Sequence, residues 1–170
     1  PAVNNFSQIA QTEFYKRAER RGIDYIDTRI HRSIRLYALA QKFERGLKRW
    51  RRKHPSGSVI VTQGVGEDGH TAGIMPYSRD EKRFEKLFEN EAKWVVGYNA
   101  PRGKTEYPRR ITVTIPFLRN EVDCSVVYAV GASKRATLKR VLAKKGMLHK
   151  TPSRIIHEEK NASLFIDQTL

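Results

Sequence analysis

The chain has 170 residues, enough for one domain with a real core and too few for two ordinary ones. Its 33 Lys and Arg outnumber 18 Asp and Glu for a formal charge of +15, which favours anionic partners: nucleic acid, an acidic membrane surface or a phosphorylated metabolite. No apolar run is long enough to cross a bilayer, Pro1 to Ile9 holds no secretory h-region, and the single cysteine, Cys124, fits a reducing compartment. These features point to the cytoplasm and to no membrane partner.

In chain order, Phe6, Ile9, Ala10 and Phe14 recur at helical spacing, with Gly22 as a stop. Ile23 to Asp27 reads as a short strand. Leu36, Leu39, Ala40, Phe43, Leu47 and Trp50 mark a second, longer amphipathic helix, broken by His54-Pro-Ser-Gly. Ser58 to Thr62 is a compact β-branched run of the kind expected of a strand covered on both faces. Gly64-Val-Gly-Glu-Asp-Gly-His70 follows it directly. Ser78 and Glu81 form a capping box opening a helix through Phe84, Leu87 and Phe88.

Lys93 to Tyr98 and Arg110 to Ile115 read as strands, the latter with Ile111, Val113 and Ile115 alternating. Val126 to Val130 is another buried-type strand. Ser133 caps a helix through Leu138, Val141 and Leu142, ended by Gly146. A last strand falls around Arg154 to Ile156. Strands alternating with helices predict a three-layer α/β domain with a largely parallel sheet covered on both faces. Ligands of such sheets sit beyond the carboxyl ends of the strands. The loops Gly64 to His70 and Gly131 to Lys134 both occupy that position.

The first of these loops is the most informative stretch. Gly64, Gly66 and Gly69 let the backbone turn sharply and approach a ligand. Asp68 and His70 add a carboxylate and an imidazole, and an imidazole can take a proton from water or a sugar hydroxyl. On spacing alone, an ordinary tight turn with a solvated histidine accounts for the loop equally well.

The string GVGEDGHTAGIMP is similar to the GxGxDGHxAxxxP signature of the 6-phosphogluconolactonase and glucosamine-6-phosphate isomerase superfamily. Pro108-Arg-Arg-Ile-Thr-Val-Thr resembles the family's P-x-R-I-T-x-T segment and aligns Arg110; Val130-Gly-Ala-Ser-Lys-Arg-Ala resembles its G-x-x-K-A segment and aligns Lys134. The ending Leu164-Phe-Ile-Asp167 resembles the hydrophobic-then-Asp close of the lactonases, and Asn5-Phe6 resembles their Ser-Asn-Tyr. The resemblance runs over nearly the whole chain. It implies a three-layer, Rossmann-like domain over residues 1–170.

Isomerases of the family carry Asn-Glu-Pro where this chain has Ile74-Met75-Pro76, and that glutamate belongs to their catalytic set. A thioether relays no protons, so the lactonase branch fits better, and Thr71 matches its DGHTA. Ala72-Gly73, where Ala-Ser is commoner in lactonases, is a departure.

The resemblance then implies hydrolysis of 6-phosphoglucono-1,5-lactone with no cofactor and no metal. His70 would be the base that activates water, and Asp68 would orient the imidazole. Arg110 and Lys134 would bind phosphate, and Gly64, Gly66 and Gly69 would shape the loop. Without the resemblance, Arg110 and Lys134 read as plain surface cations.

The family's first strand and helix, its Ser-Gly-Gly phosphate loop and its Asp-Glu-Arg strand end have no counterpart in these residues. The expected partners are therefore a phosphorylated sugar lactone and either a separate N-terminal segment or a second copy of the chain.

Two other readings compete. Lys48-Arg-Trp-Arg-Arg-Lys-His54 surrounds a tryptophan with cations, as in a nucleic-acid-binding module, yet Trp50 also completes the apolar stripe of its helix. A sugar-phosphate-binding regulator without turnover would keep the fold. His31, His54, His149 and His157 have no metal-ligand spacing and read as surface residues, and Cys124 as a small core residue at a strand.

Overall fold

The computed structural model describes residues 5–29, 35–101, 103, 105–167 and 169. The helices in order are α1 (Asn5–Ile9), α2 (Glu13–Arg20), α3 (Leu36–Lys53), α4 (Glu81–Phe88), α5 (Ile115–Asn120) and α6 (Arg135–Leu142). The strands are β1 (Ile60–Gly64), β2 (Val95–Asn99), β3 (Arg109–Val113), β4 (Cys124–Ala129) and β5 (Ala162–Ile166). Short 3-10 turns cover Ala132–Lys134 and Pro152–His157.

β1, β4 and β5 form a parallel sheet in the order β1-β4-β5, with Thr62 opposite Val126 and Val127 opposite Leu164. β2 and β3 pair separately and antiparallel, Val95 opposite Val113. The fold is the expected α/β, Rossmann-like one with a mostly parallel arrangement, and the antiparallel pair is an addition to it. No helix among the described residues is long and apolar enough to cross a membrane.

Side chains alternate along each strand, so the two faces of the sheet meet different surroundings. Val127 and Ala129 face Leu138 and Val141 of α6 in one small buried cluster. A larger cluster gathers Ile74, Met75, Phe84, Phe88, Tyr98, Ile115 and Leu118, with Val61 packed against it. Phe88 lies edge-on to both Phe84 and Tyr98. Each such fully buried side chain contributes about 2 kcal/mol of transfer free energy.

The opposite face was expected to be covered and is open among the described residues. Ile60 is 68% exposed, and Tyr128 and Phe165 stack on each other at 5.4 Å while each is half exposed. A continuous β-branched run records that a strand suits a buried sheet, not that both sides are occupied.

Other boundaries differ for local reasons. The helix expected through Phe6 and Phe14 is two, because the Thr12 hydroxyl caps α2 by accepting from Tyr15 N. Ile23 to Asp27 is no strand; Tyr25 packs its ring against Phe6 and Tyr15. Asp80, not Ser78, caps α4, accepting from Arg83 N at 3.0 Å. β3 stops at Val113 because the Thr114 hydroxyl caps α5, where Ile115 is the first residue.

Ser133 lies inside a 3-10 turn, and α6 starts at Arg135. It ends at Leu142 rather than Gly146: the Arg154 guanidinium donates to the carbonyls of Arg140, Val141 and Ala143 and closes it. Arg154 to Ile156 is a 3-10 turn opened by Pro152, and the last strand is β5.

His149 is buried, 3.2 Å from Glu81 Oε1, rather than at the surface; His157 is exposed, with ring Nε2 2.7 Å from the Val141 carbonyl, His54 is exposed, and His31 lies outside the described residues. Cys124 is half-buried on β4. Trp50 is 37% exposed, with the Arg51 guanidinium 5.4 Å from its ring.

Candidate active site

The glycine-rich loop leaves the carboxyl end of β1. Gly69 N donates to Gly66 O at 2.9 Å and Gly66 N to His70 O at 2.8 Å, which folds the loop back on itself. The turn carries Gly69 through φ +92°, a conformation that favours glycine. Within it Asp68 Oδ1 accepts twice from His70, from the backbone N–H at 3.1 Å and from ring Nδ1 at 2.6 Å.

A carboxylate can only accept, so Nδ1 carries the proton that points at Asp68. Burial pushes the Asp68 carboxyl up, but the His70 ring and backbone hydrogen bonds outweigh it and hold the group below its ordinary range. Gly66 makes room for this pair: a Cβ there would lie 2.1 Å from Nδ1.

Surrounding elements hold the loop by its carbonyls. Thr137 Oγ1 and Arg140 Nη2 donate to Glu67 O, the latter at 3.2 Å. Ser153 N donates to Gly69 O at 3.0 Å, and Thr71 Oγ1 to Gly64 O at 2.9 Å. Beyond the loop, Thr112 Oγ1 donates to Ala72 O. Tyr98 OH donates to Gly73 O at 2.6 Å and accepts from Met75 N at 3.2 Å. Burial of Tyr98 pushes its phenol up, so it stays protonated as a donor.

Asp68 and His70 open on a cleft of about 340 Å³ that Gly66, Glu67, Met75, Thr105, Arg110 and Lys134 also line. Arg110 Nη2 donates to Thr105 Oγ1 at 2.9 Å, and its Nε is buried without a hydrogen-bond partner. Lys134 Nζ lies 3.9 Å from Glu67 Oε1. Met75 is 1% exposed and contributes an apolar wall. Among the described residues, no three His, Cys, Asp or Glu side chains gather as a metal site.

Gly66, Asp68, His70, Arg110 and Lys134 thus surround one cleft. Gly64 and Gly69 do not line it: a side chain at Gly64 would meet open space, and one at Gly69 would meet Thr151. Spacing alone does not mark Glu67 and Thr105 as lining residues, or Thr137, Ser153 and Tyr98 as supports. Nothing local sets these residues apart from others of their kind.

Parallel strands feeding a glycine-rich loop into a cleft with an imidazole and two cations define a Rossmann-like α/β domain with a candidate site at the strand ends. The chain belongs to the family of glucosamine-6-phosphate isomerases and 6-phosphogluconolactonases, whose family model matches residues 4–165.

Among solved structures it is similar in fold to the 6-phosphogluconolactonase of Plasmodium vivax, at TM-score 0.69 and 16% identity over 99% of this chain and 64% of that one. The Leishmania guyanensis enzyme gives TM-score 0.66 and 18% identity over 98% of this chain and 66% of that one. The Thermotoga maritima enzyme gives 0.65 and 21% over 98% and 67%. The chain therefore spans about two thirds of the length of these proteins. No curated protein matches it.

Proposed function

We propose that this chain carries the hydrolytic centre for 6-phosphoglucono-1,5-lactone. The observation that carries the reading is the 2.6 Å contact of His70 Nδ1 with Asp68, which leaves Nε2 as a base at the cleft. Nε2 removes a proton from water as the water oxygen bonds to the lactone carbonyl carbon. The tetrahedral intermediate collapses, the bond from that carbon to the ring oxygen breaks, and the imidazolium returns its proton to the departing oxygen. The products are a hydroxyl and a carboxylic acid that ionises in water. A lactone is already an activated ester, so neither a covalent nucleophile nor a metal is required.

Asp68 stabilises the imidazolium formed on the way, as the carboxylate of a triad does. Arg110 and Lys134 supply positive charge for the substrate phosphate, Arg110 with an unused buried Nε donor. The apolar Met75 supports hydrolysis over isomerisation, since a thioether at that wall moves no protons. The open sheet face around Tyr128 and Phe165 supports a further partner, a separate segment of the fold or a second copy, in the working enzyme.

The test is release of acid from freshly prepared lactone, above the spontaneous rate, by wild type and His70→Asn. A general base contributes about two to four orders of magnitude. The variant should fold normally and lose most of the enzymatic rate; an undiminished rate would make His70 structural.

A further inference from the structure

A chain of buried polar side chains joins the glycine-rich loop to the segment before β5. Gln63 in β1 is 3% exposed, Ser125 and Thr71 are 0% exposed and Glu159 is 8% exposed. Gln63 Nε2 donates to Glu159 Oε1 at 2.6 Å and to Ser125 Oγ at 3.2 Å. Gln63 Oε1 accepts from Thr71 Oγ1 at 3.1 Å, and the same hydroxyl reaches Gly64 O at 2.9 Å. Glu159 Oε2 is buried with no hydrogen-bond partner. None of these side chains lines the cleft, and the hydrolytic steps use none of them.

Such a group is costly to bury, and four polar side chains here occupy places that leucine or valine would fill more favourably. The chain does, however, have a direction. Glu159 as a carboxylate only accepts, so Gln63 must turn its NH₂ towards Glu159 and its carbonyl towards Thr71. The single Thr71 proton is then directed at Gln63 Oε1 and Gly64 O, which fixes the hydroxyl. Thr71 follows His70 directly, and Gly64 begins the loop, so this clamp closes the loop at both ends. An amide is nearly symmetric in shape. Without Glu159 the Gln63 amide has two orientations, and the clamp has two settings.

We propose that Glu159, acting through Gln63 and Thr71, is a positioning residue that holds His70 in one pose for proton transfer. The inference rests on the hydrolytic reading above.

The experiment compares wild type with Glu159→Gln, Glu159→Leu, Gln63→Leu and the double variant Gln63→Leu/Glu159→Leu. It reads melting temperature, kcat and KM for the lactone, and ¹⁵N chemical shifts of the His70 ring. Replacing both buried partners by apolar groups of similar size relieves the unpaired atoms, so the double variant should melt near wild type.

Its kcat should nevertheless fall about tenfold with KM unchanged, because a fraction of an ångström at the base is enough for that loss. Glu159→Leu should behave alike in kcat, whereas Glu159→Gln, which keeps an acceptor, should retain most of the rate. The His70 ring should change from one nitrogen pattern, protonated at Nδ1, to an average of two. The ring spectra need no turnover, so they decide the role of Glu159 whether or not the hydrolytic reading holds. A stable double variant with wild-type kcat and a wild-type ring spectrum would overturn the proposal. Where Glu159→Leu does not fold, the double variant carries the test.

Discussion

Replacing Gly66 by alanine should disable the site while leaving the fold in place. Gly66 has no positive φ, so its backbone accepts a side chain. The obstacle is the His70 ring. An added Cβ would lie 2.1 Å from Nδ1, 2.3 Å from Cε1 and 2.8 Å from Asp68 Oδ1, where ordinary contact begins at 3.4 Å. The ring must retreat by roughly 1 Å, which breaks its 2.6 Å bond to Asp68.

A misplacement of that size costs about a hundredfold in rate, equivalent to about 2.7 kcal/mol of activation barrier. The ring side chain is 37% exposed and can swing towards solvent, so thermal stability should change by less than about 1 kcal/mol. Gly64→Ala is the control. It meets nothing within 4 Å and should keep the full rate. Initial lactone hydrolysis, corrected for the spontaneous reaction, and melting curves of both variants decide the matter. A folded Gly66→Ala protein with the wild-type rate would refute the placement of the chemistry at His70.

Arg110→Ala or Lys134→Ala should raise KM for the phosphorylated lactone by roughly tenfold, the worth of one charge-assisted hydrogen bond, and leave an unphosphorylated lactone unaffected; equal effects on both substrates would count against phosphate binding. Glu159→Gln should stabilise the protein near neutral pH. Burial pushes the Glu159 carboxyl above its ordinary 4.5, so the stability it contributes is fully present below that value and lost as pH rises through the raised one. The gain in melting temperature over wild type should therefore be smallest at pH 4 and grow as pH rises through the raised value; an equal gain at pH 4 and pH 7 would contradict it. Tyr128→Lys with Phe165→Lys, on the open sheet face, should reduce concentration-dependent association seen by light scattering, and an unchanged mass would show that this face is not the contact.

The parts of the site legible in the sequence are those whose geometry is local. Asp68 and His70 stand two positions apart, so one tight turn suffices to bring carboxylate and imidazole together, and the glycines that permit the turn lie in the same stretch. The supports of that turn come from far along the chain: Thr137 is 70 residues from Glu67, and Thr112 is 40 from Ala72. A threonine that braces a loop carbonyl looks the same in a sequence as one that faces water. The same distinction explains the misplaced last strand. Arg154 to Ile156 and Ala162 to Ile166 are both short and apolar enough to be strands. Which of them joins the sheet is decided by tertiary bonds, Arg154 to the end of α6 and Ser153 N to Gly69 O. His70 is therefore encoded locally as a residue type, but its pose depends on β1, β3, α6 and the turn before β5 together. A substitution in any of these can change the rate without touching the Gly64 to His70 stretch by which the site is recognised.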